Sequence, residues 1–163
     1  MKRIPVLICI DIEPDERTLD PRARLDWTGF EQSYEFFSDL RPRLETATGS
    51  PVHFSWFLRM DPQITHTYGS AHWVVTRYAR LIDRLQGAGD ELGLHVHAWR
   101  WDHRSQGWIA DLADQTWVDH CVRSSFEAFH TSLKRRCRSF RFGDHWMNDQ
   151  TLDLLEQIGR AHV

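Results

Sequence analysis

The chain has 163 residues, 41% of them hydrophobic and 26% charged, the proportions of one globular domain, 1–163, able to bury a core. Its formal net charge is -3 with acidic and basic residues interspersed, which excludes the basic face that nucleic acid or an anionic membrane attracts. No apolar stretch is long enough to span a bilayer, no secretory signal pattern precedes the first apolar run, and three cysteines without CxxC spacing read as reduced thiols, so the expected compartment is the cytoplasm and the expected partner a small neutral or polar molecule.

Ile4 to Ile10 is a nearly continuous apolar run, the pattern of a strand covered on both faces in a parallel sheet, with Cys9 as a small buried hydrophobe. A charged loop from Asp11 to about Trp27 leads into a helix over Gly29 to Thr48, where Phe30, Tyr34, Phe37, Leu40 and Leu44 recur at helical spacing and Gly49 supplies a stop. The second unit is a strand over Pro51 to Leu58, a loop over Arg59 to Gly69 and a helix over Ala71 to Leu85, closed by Gly87-Ala88-Gly89. A third strand spans Glu91 to about His97, followed by a long loop from Ala98 to Gln115 and a helix from about Trp117 to Arg136. The fourth unit has a strand over Ser139 to Phe142, a loop over Gly143 to Met147, and a helix capped by Asn148 or Asp149 whose face is Leu152, Leu155 and Ile158. Four strand–helix repeats in series predict an α/β fold with a parallel sheet and right-handed crossovers.

The two kinds of connection differ in chemistry. Those that follow strands carry Asp11, Glu13, Asp15, Asp61, His66, His97, Trp99, Trp101, His103, Asp144, His145 and Trp146, whereas those that precede strands carry no histidine or tryptophan. In parallel α/β folds the carboxyl ends of the strands are where ligands bind. At the first strand end, Asp11 and Glu13 point the same way in an extended chain, as a metal ligand and a base would, while Asp15 reads as a helix cap or loop anchor. At the third, His95 and His97 share one face and are spaced to converge on one cation. The fourth adds Arg141 between apolar residues, a guanidinium that needs an acidic partner. Asp144 and His145 are second-layer groups, an extra ligand, or the cap of the next helix. Trp99, Trp101, Trp108 and Trp146 either form a platform for a sugar ring or pack the long loops.

The order of these motifs, an acid motif at strand one, Glu-Leu-Gly-Leu-His at strand three, then Phe-Arg-Phe-Gly with Thr-Leu-Asp-Leu-Leu-Glu-Gln-Ile-Gly after it, resembles the polysaccharide deacetylase superfamily (NodB-homology, carbohydrate esterase family 4). The resemblance covers most of the chain, with Phe54 to Leu58 as the second strand. It implies a distorted (β/α)7 barrel, of which only about four units are present, and hydrolysis of non-peptide C–N bonds, as in deacetylation of N-acetylated sugars, with one divalent metal ion, zinc by preference. Asp11 then matches the catalytic base, His95 the first metal histidine and Arg141 the residue that orients the base. The family's second acid is replaced by Ile12, which leaves Glu13 as the nearest substitute. Its second histidine is replaced by Trp99, which leaves His97, with His103 or His145 in reserve.

The resulting expectation is a site in which Glu13, His95 and His97 hold the metal, Asp11 and Arg141 carry the proton chemistry, and Trp99, Trp101, Asp144 and His145 meet the substrate. Four strands do not close a barrel, so the chain is expected to be incomplete, to be covered by another copy as a homo-oligomer, or to be a minimal relative. The competing expectation is a carbohydrate-binding or assembly domain that keeps the scaffold without catalysis. An amidohydrolase, which also uses HxH, would carry that pair on its first strand.

Overall fold

A computed structural model describes residues 5–16, 19 and 27–161. In chain order the elements are β1 (Cys9–Ile12), α1 (Thr28–Thr48), β2 (Ser55–Arg59), α2 (Pro62–Tyr68), α3 (Trp73–Arg77), α4 (Ala79–Gly87), β3 (Glu91–Val96), β4 (Trp99–Asp102), β5 (Gly107–Ala110), α5 (Gln115–Leu133), β6 (Phe140–Phe142) and α6 (Asp149–Ala161). β1, β2, β3 and β6 lie side by side in that order, every neighbouring pair parallel. The sheet is curled like half of an α/β barrel, and β1 and β6 are its two edges. No helix among the described residues is long and apolar enough to cross a membrane.

Strand alternation gives this sheet two unlike faces. Ile10, Ile12, Trp56, Leu58, Leu92, Leu94 and Val96 belong to the main core with Phe30, Ile82, Leu85, Val118, Val122 and Phe129 from the helices. Registered on the other face are Asp11 with Phe57 and Gly93, and one step further Arg59 with His95 and Arg141. Gly93 has no room for a side chain, since a β-carbon there would meet the Ser139 carbonyl oxygen at 2.6 Å and the Phe57 ring at 2.9 Å. Hence β3 and its neighbours draw close beneath the polar row.

Several elements depart from the expected boundaries. The first strand begins at Cys9, not Ile4, and runs on through Asp11 and Ile12; Ile4 lies outside the described residues. Val6 and Leu7 are 81% and 76% exposed, because pairing with β2 starts only where Ser55 N–H reaches the Ile8 carbonyl. Cys9 is therefore half-buried, while burial pushes the Cys137 thiol up to about 12. The loop after β2 contains α2, which Asp61 caps by accepting the Gln63 N–H with Pro62 in the first turn. The helix after it is broken at Tyr78 into α3 and α4. The long loop after β3 folds as an antiparallel hairpin, β4 with β5, whose turn is held by Asp102 accepting the Arg104 and Ser105 N–H groups. In α6, Asn148 is the cap, and the buried face turns on Thr151 and Leu154, leaving Leu152 48% exposed. By contrast α1 follows its expected face and ends at Gly49, whose φ of 63° closes it by a bond to the Glu45 carbonyl.

At the opposite end of the sheet from the polar row, Asp90 ties three elements together. Its fully buried carboxylate accepts from Arg41 of α1 at 2.7 Å, from the Phe54 N–H at 3.0 Å and from the Trp56 indole at 2.9 Å. Replacement Asp90→Ala leaves the indole without an acceptor and the guanidinium with only the Val52 carbonyl and no counter-charge, and the expected loss in urea unfolding is about 3–5 kcal/mol. A loss within the surface-mutation range of about 0.5 kcal/mol would contradict this role.

Candidate metal centre

Glu13, His95 and His97 each offer one ligand atom, and these atoms lie within 4.8 Å of one another. The Nε2 atoms of His95 and His97 are 3.0 Å apart, and Glu13 Oε2 stands 3.8 Å from the first and 3.6 Å from the second. A tetrahedral ion with bonds of about 2.0–2.1 Å separates its donors by about 3.3–3.4 Å, so these edges bracket the size such an ion requires. Both imidazoles are buried, at 5% and 6% exposure, while the Glu13 side chain is 41% exposed. The trio thus forms the floor of a cavity open on the side of Glu13.

The protonation states suit a cation. Burial, the neighbouring His97 and the Arg59 charge together push His95 down to about 4. The hydrogen bond to His97, aided by the charges of Arg59 and His95, holds Glu13 at about 2 against the upward push of burial. Near neutral pH the trio therefore presents an ionised carboxylate and a neutral His95.

Behind His97 stands Asp144. Its Oδ2 lies 2.9 Å from His97 Nδ1 and accepts the Trp99 indole N–H at 3.0 Å. Asp144 is placed to accept an Nδ1 proton from His97, the tautomer that ligation of a cation would require, with Nε2 giving up its hydrogen bond to Glu13. Asp144 reaches that position because Gly143, Asp144 and His145 turn sharply after β6, the last two at φ 57° and 52°. Left-handed backbone at two successive residues with side chains costs energy that surrounding contacts must offset. Gly143 itself packs against the His97 ring so closely that a β-carbon would overlap it. His95 lacks such a brace: its Nδ1 is buried without a hydrogen-bond partner.

Asp11 and Arg141 flank the trio. Arg141 Nη1 is 3.0 Å from Asp11 Oδ1, an ion pair rather than an aligned hydrogen bond. Arg141 is not the buried guanidinium its apolar neighbours imply: its side chain is 42% exposed, since β6 is an edge strand, and it lies over the Phe57 ring. Burial raises the Asp11 carboxyl above its ordinary range despite Arg141. Asp15 anchors α1, accepting the N–H groups of Thr28 and Gly29 and the Thr28 hydroxyl.

These groups line a cavity of about 300 Å³ whose walls are Asp11, Glu13, Pro14, Asp15, His95, His97, Arg141, Phe142, Gly143, Asp144 and His145. Neither Trp99 nor Trp101 is among them. Trp99 is buried and turns inward to His97 and Asp144. Trp101 stacks on His66 and meets Trp108 edge-on, fastening the hairpin to α2. His103 sits exposed at the hairpin turn.

Sequence reasoning passed over a further group beneath the trio. Arg59, 3% exposed, is paired with Asp61 at 2.5 Å and with Glu13 at 3.3 Å, and donates to Gln63 at 2.6 Å. The signal for it was Asp61-Pro62, a helix start that makes Arg59 a strand end rather than a loop residue. Around the cavity, five carboxylates, from Asp11, Glu13, Asp15, Asp61 and Asp144, face two guanidiniums, from Arg59 and Arg141. With the imidazoles as neutral ligands, carboxylates outnumber guanidiniums, an excess of negative charge that a divalent cation would reduce.

Two outcomes follow from this geometry. Because His95 takes up a proton less readily folded than unfolded, chelator-treated protein should gain stability as pH rises from about 4 to about 6.5, by an amount on the order of 3 kcal/mol. Glu13, whose carboxyl is likewise lowered on folding, steepens the loss below about pH 4.5. Urea midpoints across that range check this, and a slope unaltered by His95→Asn would contradict it. Gly143→Ala should displace His97 and weaken zinc binding by about 10–100-fold while the fold is retained by circular dichroism; unchanged affinity would show that the close packing is dispensable.

Comparison of the chain with protein-family models, with curated proteins and with solved structures finds no match in any of the three, and the chemistry of the site is read from its own side chains.

Proposed function

We propose that the protein is a metal-dependent hydrolase of non-peptide C–N bonds, acting on an N-acetylated sugar or a related small amide, built on part of a distorted barrel of polysaccharide-deacetylase type. The observation that carries this reading is the convergence of Glu13, His95 and His97 beside an Asp11–Arg141 pair in one open cavity. Two imidazoles and a carboxylate are a donor set that suits zinc. When bound, such a cation supplies Lewis acidity, bringing water close to neutral pKa and polarising a carbonyl oxygen.

The chain's own groups then divide the work. Asp11, whose carboxyl is raised by burial and which lines the same cavity as the trio, is the group that would accept a proton from the attacking water. Arg141 holds Asp11 in place and keeps a positive charge beside it. As the C–N bond breaks, the departing nitrogen needs a proton, and the one taken by Asp11 is available to it. Asp144 and Trp99 keep His97 turned toward Glu13. A cavity of about 300 Å³ is at the small end for ligand sites and accommodates one ring or a short acyl amine rather than a long buried chain.

Metal analysis and acetate release from N-acetylated sugars test this directly. The purified protein should hold stoichiometric zinc, lost in Glu13→Ala and His95→Ala. Asp11→Asn should keep the metal and lose activity by roughly 10²–10⁴-fold. Zinc content indifferent to both ligand changes would remove the site. Sugar binding without turnover in the zinc-loaded protein would favour a carbohydrate-binding role.

A further inference from the structure

The buried ion cluster beneath the trio has no place in the chemistry above. Arg59 is among the least exposed charged residues described, and its guanidinium makes four contacts: Nε with Asp61 Oδ2 at 2.5 Å, Nη2 with Asp61 Oδ1 at 3.2 Å and Gln63 Oε1 at 2.6 Å, and Nη1 with Glu13 Oε2 at 3.3 Å. The oxygen it touches on Glu13 is the same Oε2 that stands 3.8 Å from His95 and 3.6 Å from His97. Asp61 Oδ2 also accepts the backbone N–H of His97 at 3.2 Å. One rigid fork is thus linked to two members of the trio, one through a side chain and one through the main chain.

A stabilising role alone does not account for this arrangement. Asp61 already satisfies the charge of Arg59 with two bonds, and Gln63 takes a third N–H. The reach to Glu13 adds a pairing with a side chain that is 41% exposed, where solvent competes and the gain in stability is small. What that reach does is hold the carboxylate on one side of the cavity, with its oxygen aimed at the two Nε2 atoms. A solvated glutamate would otherwise spread over several rotamers.

We propose that Arg59, braced by Asp61 and Gln63, is a positioning residue that sets Glu13 before an ion arrives, so that the site takes a divalent cation at low entropic cost. This rests on the metal-binding reading of the trio and assigns its preorganisation to strand β2 and helix α2. The planar fork of arginine is essential, because lysine carries the same charge but reaches Asp61 and Glu13 only as a point donor.

The test is zinc affinity by competition with a chromophoric chelator, in a double-mutant cycle between position 59 and position 13. Arg59→Lys should weaken zinc binding by about 10–100-fold in the Glu13 protein, the range for loss of a group that orients a ligand. In the Glu13→Gln background the same change should weaken it less than twofold, because the coupled oxygen has lost its charge. Gln63→Leu, which removes a brace without uncovering a buried charge, should give a smaller loss with the same dependence on Glu13, and serves if Arg59→Lys fails to fold by circular dichroism. An equal loss in both backgrounds, or none in either, overturns the positioning role while leaving the metal site intact. Wild-type protein that binds no zinc overturns the metal reading and this inference with it.

Discussion

Parallel register is the constraint on which the site depends. Because β1, β2, β3 and β6 pair in phase, Arg59, His95 and Arg141 fall in one row across the sheet, and Glu13 emerges one residue beyond β1 beside them. A shift of one residue in any pairing would turn the polar row into the apolar core and bring core residues out. Burial of Trp56, Leu58, Leu92 and Leu94 on the helix side therefore fixes the placement of the charges on the other. The fold is selected by its apolar face, and the site is carried with it.

Placing so many charges on a strand face has an electrostatic cost that the molecule answers in pairs. Asp61 and Arg59 compensate each other where solvent is excluded, Arg141 answers Asp11 at the edge, and Asp15 is absorbed by the start of α1. What remains at one point is the Glu13 carboxylate with two buried imidazoles. In a protein without a ligand such a point is expensive. A cation converts it into a gain, which is the physical reason to regard the unusual backbone of Asp144 and His145 and the tight seat of Gly143 as parts of one site.

Much of this was legible from residue order. Apolar runs and helical periodicity disclosed the four units, and the period of two in His95-Val96-His97 disclosed that both imidazoles share a face. The hairpin β4–β5 was hidden because its strands are four residues each and rich in tryptophan, so indoles that pack an excursion onto α2 looked like a surface for ligand. Arg59 was hidden for a different reason. Two of its partners, Asp61 and Gln63, are local, but its bond to Glu13 spans 46 residues, and no pattern around an arginine announces that third partner. Likewise the role of Asp144 depends on a left-handed turn at residues other than glycine, which sequence gives little reason to expect. Long-range contacts, rather than local propensity, separate the expected site from the observed one.

The central claim is that one carboxylate and two imidazoles on neighbouring strand ends hold a divalent cation. X-ray absorption at the zinc edge of the loaded protein measures this directly. The account predicts a four-coordinate shell of nitrogen and oxygen at about 2.0–2.1 Å with outer-shell scattering from two imidazoles, one of which vanishes in His97→Ala. A shell with sulfur at about 2.3 Å, or one without imidazole scattering, would contradict it.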